Sequence, residues 1–262
     1  MTLPIFQIDA FSDRLFGGNP AAVVPLEKWL SDGVMQSIAA ENNLAETAFI
    51  VQRDGIWDIR WFTPTLEVDL CGHATLASAY VIFRFLGHES NSIHFNSQRS
   101  GPLSVTKNEE LLTLDFPADH IKEIPLTAEL SACGQIKPTE AFRGKSDYLL
   151  VFEQERDILS YNAHFHNISK LNARGLIISG PGLQVDFVSR FFAPQSGVPE
   201  DHVTGSAHTT LAVYWAQRLG KSKLNAIQHS PRGGYLECEL KIPRVEISGK
   251  CQVYLEGRIF IP

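Results

Sequence analysis

Two hydrophobic rhythms run along the chain. Short runs that are apolar throughout or at alternate positions, bounded by Gly, Pro, Asn or Asp, predict strands. The first series covers Ile5 to Phe11, Ala21 to Pro25, Thr47 to Gln52, Ile56 to Phe62, Ser92 to Phe95, Leu103 to Lys107 and Leu111 to Phe116. A second series covers Tyr148 to Phe152, Leu176 to Ser179, Val185 to Phe192, Tyr235 to Ile242, Val245 to Ser248 and Val253 to Ile261. Leu30 to Asn42 predicts a helix with Ser31 as its N-cap. Ala74 to Leu86 is apolar nearly all round, as a buried helix is. Strands outnumber helices, which predicts an α+β fold. Pro117 to Leu126, with two prolines and mixed charge, reads as a linker.

The pattern repeats. Arg60-Trp61-Phe62-Thr63-Pro64 is echoed 130 residues later by Arg190-Phe191-Phe192-Ala193-Pro194. Each is followed by a loop and then by Gly-x-Ala opening an apolar helix. Gly72-His73-Ala74 runs to Leu86-Gly87, and Gly205-Ser206-Ala207 runs to Leu219-Gly220 with the same spacing. Upstream, Ile38 and Asn42 correspond to Ile168 and Asn172. A duplication explains this order better than coincidence. It predicts two pseudo-symmetric domains, residues 1–116 and 117–262, each a curved, mostly antiparallel sheet or barrel around a central helix. The last strand is a candidate to cross back to the first domain.

Composition narrows the partners. The 262 residues are 44% hydrophobic and 20% charged, which fits a globular chain with an ample core. A formal net charge of −6 with no Lys/Arg-rich run argues against nucleic acid and anionic membranes. The N-terminus has no signal-peptide pattern, and no apolar run reaches a membrane span of roughly 18 residues. Cys71, Cys133, Cys238 and Cys251 form no CxxC pair or evident disulfide framework. The chain reads as cytoplasmic.

Common cofactor signatures are missing. Gly144-Lys145-Ser146 resembles the end of a phosphate-binding loop, but Thr139 stands where its first glycine belongs. Gly180-Pro181-Gly182 lacks a third glycine and reads as a turn. His164 and His166 have no acidic or cysteine partner at metal-site spacing. The expectation is therefore no cofactor and no metal. Chemistry falls to side chains at the two Gly-started helix ends. Unpaired backbone N–H groups and a partial positive charge suit a small carboxylate there, without an arginine clamp. The two ends differ in side chains. Cys71 and His73 flank Gly72, whereas Thr204 and Ser206 flank Gly205, preceded by Glu200-Asp201. Glu46 sits in a loop whose counterpart in the second half carries Leu176.

Five blocks in order carry a resemblance. Asp9-Ala10-Phe11, Gly18-Asn19-Pro20-Ala21-Ala22-Val23, Asn43 to Phe49, Cys71-Gly72-His73-Ala74-Thr75 and Glu200 to Ala207 together resemble the PhzF-like (phenazine biosynthesis) family. That family shares the diaminopimelate epimerase fold. The resemblance implies two similar domains with the active site between them, cofactor-free isomerisation of a small anionic substrate, and a homodimer. By position, Glu46 matches the family's catalytic glutamate, which takes a proton from one carbon and returns it to another. That role needs reach to both carbons and a pKa lifted by burial. His73 matches the active-site histidine and Asp201 the active-site aspartate. Gly72, Gly205 and Ser206 would grip a carboxylate, with Cys71 beside them.

Other readings stay open at each position. Glu46 alone is equally a solvated loop carboxylate, His73 a helix-entry histidine bonded to backbone, and Asp201 a dipole-stabilised loop charge. Ser206 is equally a first-turn serine that satisfies only its own helix, and Cys71 a buried small hydrophobe. Racemases of this fold oppose two cysteines, but here the second position is Thr204, too weak an acid for that work. A single-thiol dehydratase or racemase using Cys71 is the alternative enzyme, and a non-enzymatic binding protein on the same fold is the alternative class. The Cys-Gly-His-Ala-Thr block departs from the phenazine-pathway member, which has Ala before the glycine and Pro after the histidine.

Overall fold

The computed structural model describes residues 1–261. Two compact units divide the chain, one made of Met1–Asp115 together with the stretch from Ser248 onward, the other of Phe116–Ile247.

The first unit is built on β1 (Thr2–Ala10), β2 (Asn19–Leu26), β3 (Glu46–Arg53), β4 (Ile56–Phe62), β5 (Glu67–Val68), β6 (Ser92–Ser97), β7 (Gly101–Asn108) and β8 (Leu111–Pro117). Helix α1 (Asp32–Asn42) connects β2 to its parallel neighbour β3, and α2 (Gly72–Phe85) lies on the path from β4 to its parallel neighbour β6. The remaining neighbours, β1–β2, β3–β4, β4–β5, β6–β7 and β7–β8, are antiparallel. Strand β2 is buried on both faces, which its unbroken apolar run requires. Ala22, Val24 and Leu26 pack with Met35 and Ile38 of α1. Ala21 and Val23 point to the opposite face, and α2 packs against β1, β2 and β3. Nine residues of α2 are buried, His73 through Ala79 among them, as an all-round apolar helix demands. Ser31 does occupy the N-cap of α1, but its hydroxyl makes no cap bond; its carbonyl receives Val34 and Met35 instead.

The second unit repeats this order. It contains β9 (Lys122–Ile124), α3 (Ala128–Ser131), β10 (Glu140–Arg143), β11 (Asp147–Val151), α4 (Glu155–Leu159), α5 (Phe165–Ile168), β12 (Gly175–Pro181), β13 (Phe187–Ala193) and β14 (Val198–Asp201). Helix α6 (Gly205–Leu219) and strands β15 (Lys223–Gln228), β16 (Gly234–Lys241) and β17 (Arg244–Gly249) follow. Strands β11 and β12 are parallel, β12 and β13 antiparallel, β13 and β15 parallel, and β15 and β16 antiparallel. These are the relations of β2 to β3, β3 to β4, β4 to β6 and β6 to β7. Ile168 of α5 is fully buried, as its counterpart Ile38 is nearly so. Pro117 to Leu126 is not a bare linker. It carries β9, antiparallel to β10 with Ile124 opposite Ala141, and burial of Ile124 against the second core outweighs the two prolines. Strands β5, β10, β14 and β15 were also absent from the sequence-based pattern, the first three because two to four residues are too short to show a period and β15 because Lys223 and Asn225 dilute its apolar positions. The final strand, β18 (Cys251–Phe260), returns to the first unit and pairs antiparallel with β1 from Thr2↔Phe260 to Ala10↔Cys251.

The repeated Arg-x-Phe block has a physical reason. Arg60 sends Nε and Nη2 to the two carboxylate oxygens of Glu67 at 2.7 and 2.8 Å, tying β4 to β5. Arg190 does the same to Glu200 at 2.7 and 3.1 Å, tying β13 to β14. Each guanidinium also lies over the phenylalanine two residues on, 5.1 Å from Phe62 and 4.9 Å from Phe192.

Candidate active site

In the first unit Glu46, Cys71 and His73 come together. Glu46 opens β3, and Cys71 is the extended residue at the head of α2. The parallel register of Ala21 with Glu46 places the carboxylate at the end of the buried β2–β3 pair. His73 Nε2 lies 3.1 Å from Glu46 Oε2. Its Nδ1 lies 3.2 Å from the Asn19 amide nitrogen and 3.5 Å from Cys71 Sγ. A neutral His73 accepts from Asn19 at Nδ1 and carries its proton on Nε2, facing the glutamate. The imidazolium also carries a proton on Nδ1, for which the Cys71 sulfur, or the Asn19 oxygen with its amide turned, is the acceptor. Although the two charges are in ion-pair range, Glu46 Oε2 is buried and accepts no well-aligned hydrogen bond. The His73 contact thus leaves Oε2 with capacity to accept a further, better aligned donor.

The electrostatics separate the three groups. Burial pushes the Cys71 thiol up to about 11, and the Glu46 carboxylate adds to this; His73 and the Ala74 N–H offset only part of it. Burial acts to lower His73, yet the Cys71 sulfur and the Glu46 carboxylate outweigh it and hold the imidazole well above the ordinary histidine range. Cys71 raises His73 only as a thiolate; near pH 7, where it is a neutral thiol, Glu46 is the charge beside the ring that favours the imidazolium.

The second unit holds Asp201, Gly205 and Ser206. Thr204 heads α6 in the position Cys71 has at α2, but its hydroxyl donates to Asp201 Oδ2 at 2.5 Å. Gln228, fully buried on β15, fixes this corner: its oxygen accepts from Thr204 N at 2.8 Å and its nitrogen donates to the Asp201 carbonyl at 2.9 Å. Ser206 is not self-satisfied. It accepts from Arg174 Nη1 at 2.8 Å, and Arg174 is clamped by the buried Asp147, which takes its Nε at 3.0 Å and its Nη2. An arginine thus stands beside this helix start, where the sequence suggested none. Arg174 lies in the loop corresponding to that of Glu46, and Ser206 matches His73 at the spacing of the two helix starts. The first half therefore sets a carboxylate against its helix start and the second a guanidinium.

Asn19, Gln228, Arg174 and Asp147, which brace the candidate residues, were not singled out from the sequence. Asn19 was visible inside the Gly18-Asn19-Pro20 block. Gln228 ends a strand with weak apolar signal, and the Arg174–Asp147 pairing joins positions no periodicity connects.

His208 adds a measurable signature. Its Nδ1 donates to the Thr204 carbonyl at 2.9 Å, as the Thr75 hydroxyl does to Cys71 at 2.6 Å in the other half. Burial lowers its pKa to about 4, and the Thr204 carbonyl only partly counters this. The unfolded chain takes up this proton below about pH 6.5 while the folded chain resists it until about pH 4. Stability from this residue is therefore intact above pH 6.5 and falls by about 3 kcal/mol on descending to pH 4. Urea unfolding from pH 7 to pH 4 should show a shallower acid loss in His208→Asn, whose amide keeps the bond to Thr204. An unchanged slope would remove His208 from the account.

The family model described as phenazine biosynthesis-like protein, PhzC-PhzF, matches residues 8–257. A Pseudomonas aeruginosa protein named as an uncharacterized isomerase is 48% identical over 261 residues, covering 100% of both chains. The crystal structure of a phenazine biosynthesis PhzF-family protein from Enterococcus faecalis superposes with a TM-score of 0.97 at 45% identity, covering 100% of each chain. A likeness of fold alone extends to a probable proline racemase from Agrobacterium radiobacter, with a TM-score of 0.63 at 8% identity over 99% of this chain and 93% of that one. From the ordered motifs through the match across nearly its whole length, the chain belongs to the phenazine biosynthesis-like PhzC-PhzF family.

Proposed function

We propose that the protein is a cofactor-independent isomerase that moves a proton between carbons of a small carboxylate substrate, with Glu46 as acid and base. What carries the reading is Glu46 Oε2, a buried carboxylate oxygen 3.1 Å from His73 and without an aligned hydrogen-bond donor. A proton bound to a carbon next to a carboxyl or unsaturated group is the natural partner for such an oxygen. His73 Nε2, 3.1 Å from Oε2, positions Glu46 and supplies positive charge beside it when protonated. The isomerase class is that named for the Pseudomonas aeruginosa relative, and the racemase-like fold supports it.

In this proposal Gly72, Gly205 and Ser206 bind substrate carboxylate through helix-end N–H groups and a hydroxyl, and Asp201 binds an amino or hydroxyl group. Both units are assigned the diaminopimelate epimerase-like architecture, and the chain a homodimeric state that sedimentation would check. Cys71 is a poor candidate for the base: a thiol near 11 is ionised to roughly one part in 10⁴ at pH 7. The experiment is solvent-deuterium uptake. The protein is incubated in D₂O with a panel of small cyclic and unsaturated carboxylic acids, and label is read by mass spectrometry. Label should enter at least one acid and continue to do so with Cys71→Ala. Loss of uptake in that variant would transfer the role to the thiol, and no uptake from any acid with the wild type would favour a binding protein.

A further inference from the structure

The Glu46, Cys71 and His73 donors have a second chemistry. Cys71 Sγ, a ring nitrogen of His73 and a carboxylate oxygen of Glu46 all lie within 4.8 Å of one another. We propose that these three side chains form a binding site for a single thiophilic divalent cation, Zn²⁺ foremost, through Cys71 Sγ, His73 Nε2 and a Glu46 oxygen. The spacing is close to what a tetrahedral ion imposes. Bonds of about 2.3 Å to sulfur and about 2.0 Å to nitrogen and oxygen set the donors about 3.5 Å apart for S···N and about 3.3 Å for N···O. The corresponding separations are 4.0 Å for Cys71 Sγ to His73 Nε2 and 3.1 Å for His73 Nε2 to Glu46 Oε2. The sulfur and the carboxylate, which lie within 4.8 Å of each other, would draw together toward the roughly 3.5 Å that a shared tetrahedral ion sets, a movement within reach of side-chain rotation.

Two further observations point to a ligand. Glu46 Oε2 is buried and lacks an aligned hydrogen bond, so an ion would satisfy it. Asn19 faces the other ring nitrogen at 3.2 Å. On binding, the Cys71 thiol and His73 Nε2 each give a proton to solvent, and His73 binds as the neutral ring with its remaining proton on Nδ1. The Asn19 side chain then presents its oxygen to that proton, the outer-partner role that orients metal-bound histidines. A thiolate and a carboxylate neutralise the ion, and a fourth position remains for water. The sulfur and imidazole donors select Zn²⁺ and its neighbours over Mg²⁺ or Ca²⁺. Binding withdraws Glu46 from proton transfer, so Zn²⁺ would silence the enzyme; this consequence alone rests on the isomerase reading.

The test uses the full chain stripped of metal and titrated with Co²⁺ as a spectroscopic stand-in, then with Zn²⁺. One equivalent of Co²⁺ should give a thiolate-to-metal charge-transfer band that Zn²⁺ displaces. Cys71→Ser should abolish the band. Glu46→Gln should weaken binding by more than the roughly 10–100-fold typical of losing an outer partner. His94→Ala, an exposed histidine outside the cluster, should change nothing. X-ray absorption of the wild-type Zn²⁺ form needs no variant, and should find one sulfur at about 2.3 Å with the other donors at about 2.0–2.2 Å. A band that survives Cys71→Ser, or a zinc shell with no sulfur or several, would overturn the proposal. Metal bound as described by a protein that labels no acid in D₂O would leave the site standing and remove only the isomerase reading.

Discussion

Replacing Glu46 by Gln is expected to slow solvent exchange and turnover of any accepted acid by about 10²–10⁴-fold, the usual scale for removing a positioned general base. The substitution keeps the size of the side chain and an oxygen that can face His73 Nε2 at the 3.1 Å spacing, so the start of β3 should survive. What disappears is the capacity to hold a transferred proton. Near pH 7 Cys71 cannot substitute, because burial keeps it a thiol, and any residual exchange in the Gln variant would run through His73, which loses with the carboxylate the charge that raised it. Deuterium uptake, measured beside a thermal melt, separates lost chemistry from lost fold. A Gln variant that exchanges label at the wild-type rate would place the proton carrier elsewhere.

The second large effect is on stability. Arg190→Met should destabilise the chain by about 3 kcal/mol, at the low end of the range for breaking a buried pair because the site is not fully closed. Arg190 and Glu200 side chains are only 16% and 17% exposed, and Arg190 also donates to the carbonyls of Ile158 and Tyr161. Removing the guanidinium strands the Glu200 charge and two carbonyls together. The double variant Arg190→Met/Glu200→Gln should recover part of the loss, because the unpaired charge goes with it. Arg60→Met should cost less, because Arg99 Nη2 still pairs with Glu67 Oε2 at 2.9 Å and the carboxylate is not left alone. Denaturant midpoints measure all three. Equal losses in the single and double variants would mean that the packing of the arginine stem over phenylalanine matters and the ion pair does not.

These paired arginines also explain how much could be read from the chain. Arg60 and Arg190 were conspicuous because one local device, a guanidinium over the aromatic two residues on, recurs in order with a proline and a glycine-led helix. Helix α2 was equally plain, since burial on all sides leaves no polar face to confuse the period. Strands β9, β10 and β15 escaped because their assignment depends on a neighbour. Asn225 and Lys223 sit at exposed positions of a strand that is recognisable only once β13 and β16 are beside it. The site divides in the same way. Glu46, Cys71 and His73 lay within recognisable blocks, whereas Arg174 gains its meaning from Asp147, a partner 27 residues away whose strand runs parallel to its own continuation.

The pairing of β1 with β18 has a consequence for synthesis. Phe116 to Ile247 is one uninterrupted stretch, so the second unit has all its residues while the ribosome is still translating. The first unit begins at residue 1 but cannot be finished then, because one flank of β1 waits for a strand that ends at Phe260. Until that strand arrives, β1 presents an open row of backbone donors and acceptors. Strand β1 is therefore sealed by a strand made after the whole of the second unit, and of the two halves the one that carries Glu46 is completed later.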